Sequence, residues 1–180
     1  MIATPELDWM AIAPELVLVC GAMAALLAGM GRGARSHAAS AIVAMAALLV
    51  AMSATLLDWG TSRYGEFAGQ IHSDDLTNLG RLIIVGAGIV VVIFAWRGRE
   101  DDGRHAELHA LLLAACAGMG LLVAASSFVT LFVGLELFSI ALYVLCSLDA
   151  DRASSLEAGI KYLIVGGMSG AMLLYGSALV

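Results

Sequence analysis

The run Phe128-Val129-Thr130-Leu131-Phe132-Val133-Gly134-Leu135-Glu136-Leu137-Phe138-Ser139-Ile140-Ala141-Leu142-Tyr143-Val144-Leu145-Cys146-Ser147-Leu148 decides the fold. At about 1.5 Å per helical residue it is long enough to cross a hydrocarbon core of about 30 Å. Its apolar residues do not alternate with polar ones as those of a lipid-facing barrel strand do. In lipid a segment must satisfy its own backbone groups, so the run is predicted to be a transmembrane helix. Its single charge, Glu136, lies about eight residues, or about 12 Å, from one end. A short carboxylate does not reach the headgroups from that depth, and an ionisable group there costs several kcal/mol by most estimates.

Five further apolar segments of similar length flank it: Ile12–Met30, Ala38–Leu57, Leu79–Trp96, Leu108–Ala125 and Ala158–Val180. With 61% hydrophobic and 13% charged residues, the chain is too apolar for an ordinary soluble domain. The expected fold is all-α, a polytopic transmembrane bundle of about six helices. Segments four and five are joined through Ala125-Ser126-Ser127, a connection so short that the two helices are antiparallel neighbours. The net charge of -6 is spread over loops, and no Lys/Arg-rich patch suits a nucleic acid. Cys20, Cys116 and Cys146 fall in apolar runs without CxxC spacing or histidine companions, so they read as small buried hydrophobes rather than metal or redox ligands. The first apolar run follows an acidic start, so no cleavable signal peptide is read. The chain ends at Val180 inside an apolar run, as expected of a piece of a longer chain.

Loop charges set the expected orientation. The start of the chain carries Glu6 and Asp8 but no base; the first loop carries Arg32 and Arg35. The second carries Arg63 against Asp58, Glu66, Asp74 and Asp75, and the third Arg97, Arg99 and Arg104. The fourth is uncharged and the fifth holds Arg152. Odd loops thus hold six arginines, against Arg63 and the boundary residue Arg81 on the other side. The positive-inside rule puts the N-terminus outside.

Two ionisable residues on consecutive segments suggest that a charge, a proton above all, is handled there. One is Glu136, whose charge state depends on what faces it; the alternative is a protonated acid hydrogen-bonded to a neighbouring helix. The other is Lys161, the only lysine in the chain, about one turn inside its segment. It can lose a proton when desolvated, which an arginine in effect cannot; it can equally snorkel or pair with Glu157. Glu15 follows Pro14 and suits a helix N-terminus structurally. Asp74 and Asp75 read as caps of the third helix. His105 and His109, one turn apart, make a poor metal site by themselves and read as interfacial. Gly166 and Gly170 form a GxxxG that favours close packing without implying chemistry.

The stretch Leu131 to Leu145, followed by Ser155-Leu156-Glu157-Ala158-Gly159-Ile160-Lys161-Tyr162-Leu163-Ile164 and Leu173-Leu174-Tyr175-Gly176, closely resembles subunit N of bacterial NADH:quinone oxidoreductase, respiratory complex I. The opening Ala13-Pro14-Glu15-Leu16-Val17-Leu18 looks like the start of that subunit, whereas residues from about Arg32 to Glu107 are generic. The resemblance implies an antiporter-like fold of about fourteen helices, with two inverted five-helix repeats after three N-terminal helices. This chain would hold the three N-terminal helices in residues 1–107 and an incomplete first repeat in 108–180. The family's fifth-helix glutamate and sixth-helix lysine match Glu136 and Lys161, which the resemblance casts as electrostatic switch and contributor to a cytoplasmic-side proton path. The lysines with which the family pairs and extends that path lie on helices seven and eight, beyond this sequence.

The resemblance further implies a proton-translocating subunit of a bacterial cytoplasmic-membrane enzyme. No cofactor is expected on this chain; NADH, FMN, iron–sulfur clusters and quinone belong elsewhere in the complex. The expected partners are other membrane-arm subunits, the lipid bilayer and protons. Two alternatives stay open: a subunit of a multisubunit cation/proton antiporter, which shares Glu136 and Lys161, and a truncated non-catalytic membrane scaffold.

Overall fold

The computed structural model describes residues 9–31, 34–61, 63–65, 69–96 and 104–179. Glu6, Asp8, Arg32, Glu66, Arg97, Arg99 and the chain end at Val180 lie outside the described residues. A 3-10 turn, Trp9–Ile12, leads into α1 (Ala13–Ala28) and then α2 (Ala34–Leu57). A short hairpin follows, β1 (Arg63–Gly65) and β2 (Ile71–Ser73), antiparallel with Arg63 opposite Ser73. The rest is α3 (Asp75–Trp96), α4 (His105–Val123), α5 (Phe128–Cys146) and α6 (Ala153–Ala178). All six helices are long and apolar enough to cross a membrane, and the protein is a multi-pass membrane protein.

The six predicted segments are these six helices, but α2, α3, α4 and α6 begin three to five residues before the apolar runs do. Hydropathy marks the part of a helix that lies in lipid. The first turn needs polar partners for its orphan N–H groups and extends into the loop sequence. At α3, Asp74 Oδ1 accepts from the Thr77 N–H at 2.7 Å. That hydrogen bond holds the Asp74 carboxyl below its ordinary value. Asp75 instead accepts from the Gly60 N–H at 3.0 Å, so Asp74 alone of the two is the cap. At α5, Ser127 Oγ accepts from the Thr130 N–H at 3.2 Å.

Hydrophobicity does not drive helices together in lipid, so close contact needs small residues. The core is accordingly alanine-rich, with Ala22, Ala25, Ala44, Ala47, Ala51 and Ala117 buried beside Leu18, Leu48, Val85, Val92 and Leu113. The most extensive contact is α4 against α5, antiparallel as predicted. A Cβ on Gly118 would stand 2.5 Å from the Phe138 nitrogen, and one on Gly134 2.7 Å from the Leu122 nitrogen. Helix α4 is central, touching α1, α2, α3 and α5, while α6 stands at the edge against α5.

The hairpin was not predicted. Its strand β2 also pairs with the α4–α5 connection: His72 N–H donates to Ala124 O at 3.0 Å and Ser126 N–H to Gln70 O at 2.9 Å. Side chains reinforce the seam, with His72 Nδ1 2.8 Å from Ser126 Oγ and the Ser127 hydroxyl bonded to Gln70 Oε1. Gly69, with φ of +83°, lets the chain turn into β2 at an angle other residues rarely adopt.

Candidate functional site

Helix α5 holds Glu136 two turns from its start at Phe128, at the depth the sequence predicted. The side chain is half-buried and turns toward α6. Three glycines of α6 face α5 in antiparallel order: Gly159 against Ser147, Gly166 against Tyr143 and Gly170 against Glu136. A Cβ on Gly170 would stand 2.6 Å from Glu136 Oε1, and one on Gly166 2.0 Å from the Tyr143 hydroxyl. The GxxxG therefore packs closely, as predicted, but it also borders the one acid inside α5. Among the described residues no cation pairs with Glu136.

Lys161 is not brought to Glu136. Because α6 starts at Ala153, Lys161 lies about two turns inside the helix, not the one turn that hydropathy gave. From Gly170 it is nine residues away, about 13.5 Å along the axis and on the opposite side. Its ammonium lies 2.5 Å from Glu157 Oε1, with the two side chains 72% and 64% exposed. It thus makes the i, i+4 pair and faces away from α5. Tyr162 beside it is exposed but meets Tyr143 of α5 edge-on, ring centroids 4.9 Å apart.

A second polar centre was missed in the sequence. Arg81, expected at a boundary, is 2% exposed and binds Glu15 through Nε at 2.8 Å. Its Nη2 donates to Ala11 O at 2.8 Å and its Nη1 to Ser73 Oγ at 3.1 Å. The Ser73 hydroxyl in turn donates to Asp58 Oδ2 at 2.8 Å. One guanidinium thereby ties the 3-10 turn, α1 and β2 to α3. Glu15 lies against Gly120 of α4, where a Cβ would stand 2.9 Å from Oε1. Its role is structural, as expected, but through a buried partner rather than the helix end alone. The available signal was an acid and a base inset about equally from the starts of the first and third apolar runs, Ile12 and Leu79.

At the other end of the bundle the histidines are gathered, not merely interfacial. The His37 ring of α2 lies 3.9 Å from that of His105, tilted by 41°, and 6.2 Å from that of His109, nearly parallel at 18°, centroid to centroid. His109 is fully buried, with Nδ1 3.1 Å from Ser40 Oγ. Among the described residues no group of three His, Cys, Asp or Glu is placed to hold a metal ion. Nearby, Arg104 bonds Asp149 at 3.2 Å and Asp151 at 2.5 Å, clasping the start of α4 to the α5–α6 loop. Of the cysteines only Cys116 is buried; Cys20 and Cys146 are exposed on the outside of the bundle. An apolar run marks a helix for lipid and does not say which of its faces turns inward, which is why the reading of all three as buried fails.

Residues 125–180 match the family described as NADH:quinone oxidoreductase/Mrp antiporter, transmembrane. The NADH-quinone oxidoreductase subunit N of Granulibacter bethesdensis is 35% identical over 176 residues, covering 97% of this chain and 36% of the relative. Subunit N 1 of Rhizobium meliloti is 34% identical over 168 residues, covering 93% and 35%. Respiratory complex I from Thermus thermophilus, solved with bound aureothin, contains a chain that superposes with a TM-score of 0.75 at 28% identity. That alignment covers 92% of this chain and 36% of the other. The chain thus spans about a third of the length of the relatives it matches. Similar in sequence and in fold along nearly all of its own length, the chain resembles the N-terminal portion of subunit N of the NADH:quinone oxidoreductases, and its residues 125–180 carry that antiporter-like signature.

Proposed function

We propose that this chain serves as part of a proton-translocating subunit of an NADH:quinone oxidoreductase, a translocase in which quinone reduction elsewhere drives proton transfer across the membrane. The observation that carries the reading is Glu136, an acid about 12 Å inside a membrane helix with no cation partner among the described residues. Such a group is expensive in lipid and marks an ion or proton pathway. Glu136 acts as the electrostatic switch. Lys161, on the outward side of α6, contributes to the cytoplasmic-side path toward lysines outside this sequence. Residues 1–107 form the N-terminal helices and 108–180 the start of the first antiporter-like repeat.

The chain carries no redox group in this scheme. NADH, FMN, iron–sulfur clusters and quinone bind in other subunits, and its own partners are the neighbouring membrane-arm subunits, lipid and protons. It sits in the bacterial cytoplasmic membrane with its N-terminus outside, as the arginine distribution supports. In the full subunit, Glu136→Ala is expected to lower NADH-driven proton pumping at least about tenfold while the complex still assembles. Pumping at the wild-type rate in membrane vesicles overturns the assignment and favours a scaffold.

The family matched over residues 125–180 also includes Mrp antiporters. In that second reading the same Glu136 supports sodium-dependent proton exchange without NADH oxidation, which a sodium-jump assay in NADH-free vesicles separates from the first.

A further inference from the structure

The glycines of α6 do more than bring two helices together. Tyr143 and Glu136 are seven residues apart on α5, two turns along one face, and they meet Gly166 and Gly170, one turn apart on α6. The two contacts differ in kind. At Gly166 an added Cβ would strike the Tyr143 ring, with the hydroxyl at 2.0 Å, Cζ at 2.6 Å and Cε1 at 2.8 Å. The Tyr143 ring is buried and packs edge-on against Tyr162, so three of its atoms fill the space a side chain at position 166 would need, and Gly166 sets how close the helices come. At Gly170 the only close atom is a carboxylate oxygen, 2.6 Å away; the next are the Glu136 carboxyl carbon at 3.8 Å and Phe132 Cε2 at 4.0 Å. That oxygen is the far end of a flexible side chain. An added methyl there displaces the carboxylate without prising the helices apart.

We propose that Gly170 is a positioning residue for Glu136: its missing side chain is the seat in which the carboxylate rests at the α5–α6 interface. The Tyr143–Gly166 contact fixes the register that brings seat and carboxylate together. In the seat the carboxylate is half-buried, shielded by α6 on one side and open on the other to whatever group exchanges protons with it. The inference rests on the role given to Glu136 above and adds a residue that titrates nothing.

The test uses the full subunit in the assembled complex, in inverted membrane vesicles driven by NADH, with rates taken per assembled complex. Gly170→Ala is expected to assemble and to slow pumping on the order of tenfold, because a sub-ångström misplacement of a reacting group has effects of that size. It should also move the pH profile of pumping, which a change in packing alone leaves in place. Gly167→Ala, whose Cβ meets nothing within 4 Å, gives the baseline for a methyl on α6. Glu136→Asp withdraws the carboxylate from the seat without touching α6 and is expected to match Gly170→Ala in rate and in pH profile. It decides the matter if Gly170→Ala fails to assemble. Wild-type rate and pH profile in Gly170→Ala overturn the seat, as does a full-rate Glu136→Asp. If Glu136→Gln also pumps at the wild-type rate, the role of Glu136 itself fails; if Glu136→Gln is dead, only the seat is lost.

Discussion

At the scale of single residues, the bundle places two acids in contrasting surroundings. Glu15 has a guanidinium at 2.8 Å, whereas Glu136 rests against a glycine. The first arrangement ties helices together; the second leaves the carboxylate without an ionic partner among the described residues. Removing one member of a buried pair strands the other, so Arg81→Ala is expected to destabilise the chain by about 3–5 kcal/mol. The double change Glu15→Leu with Arg81→Met should recover most of that, since a well-packed apolar pair is often no worse than a buried ionic one. Thermal unfolding in detergent measures both; equal losses in the single and double variants contradict the account. Glu136 was legible in the sequence because a lone acid in an apolar run stands out. Arg81 was not, because its partner lies 66 residues away and nothing in the local pattern around Asn78 and Arg81 names it.

At the scale of elements, the helices were legible and their contacts only partly so. Hydropathy finds the lipid-crossing portion of each helix but not the polar turns that precede it, hence the early starts of α2, α3, α4 and α6. The GxxxG of α6 was visible, but a glycine spacing does not say what fills the notch. The hairpin was invisible because its strands are three residues each and are held by the α4–α5 turn rather than by any pattern of their own. Glycine's role at the α4–α5 seam is testable. Gly118→Ala sets a methyl against backbone atoms of α5 that cannot rotate away, and overpacking of this kind costs about 1–3 kcal/mol. Gly86→Ala on α3 meets nothing within 4 Å and should be neutral or slightly stabilising, as alanine suits a helix better than glycine. Equal melting temperatures for the two variants refute the distinction.

At the scale of the whole molecule, six membrane helices and a family resemblance followed from the sequence, while the outward turn of Lys161 and the gathering of the histidines did not. Both depend on the rotation of a helix about its axis, and near-uniform hydrophobicity leaves that rotation unmarked. The orientation rests on arginine counting and predicts a labelling pattern. In a chain with Cys20, Cys116 and Cys146 changed to alanine, Thr61→Cys should react with a membrane-impermeant maleimide from the outer face. Asp151→Cys should react only after the membrane is opened; the reverse pattern inverts the topology. The pairing of β2 with the α4–α5 turn joins residues 70–73 to 124–126, and between them the chain crosses the membrane twice. The earlier segment is delivered to its side of the bilayer before its partner has been synthesised. Until α3 and α4 have both inserted, the strand edge has no partner, so its closure is a natural checkpoint in biogenesis: a latch that engages only after the fourth crossing is complete.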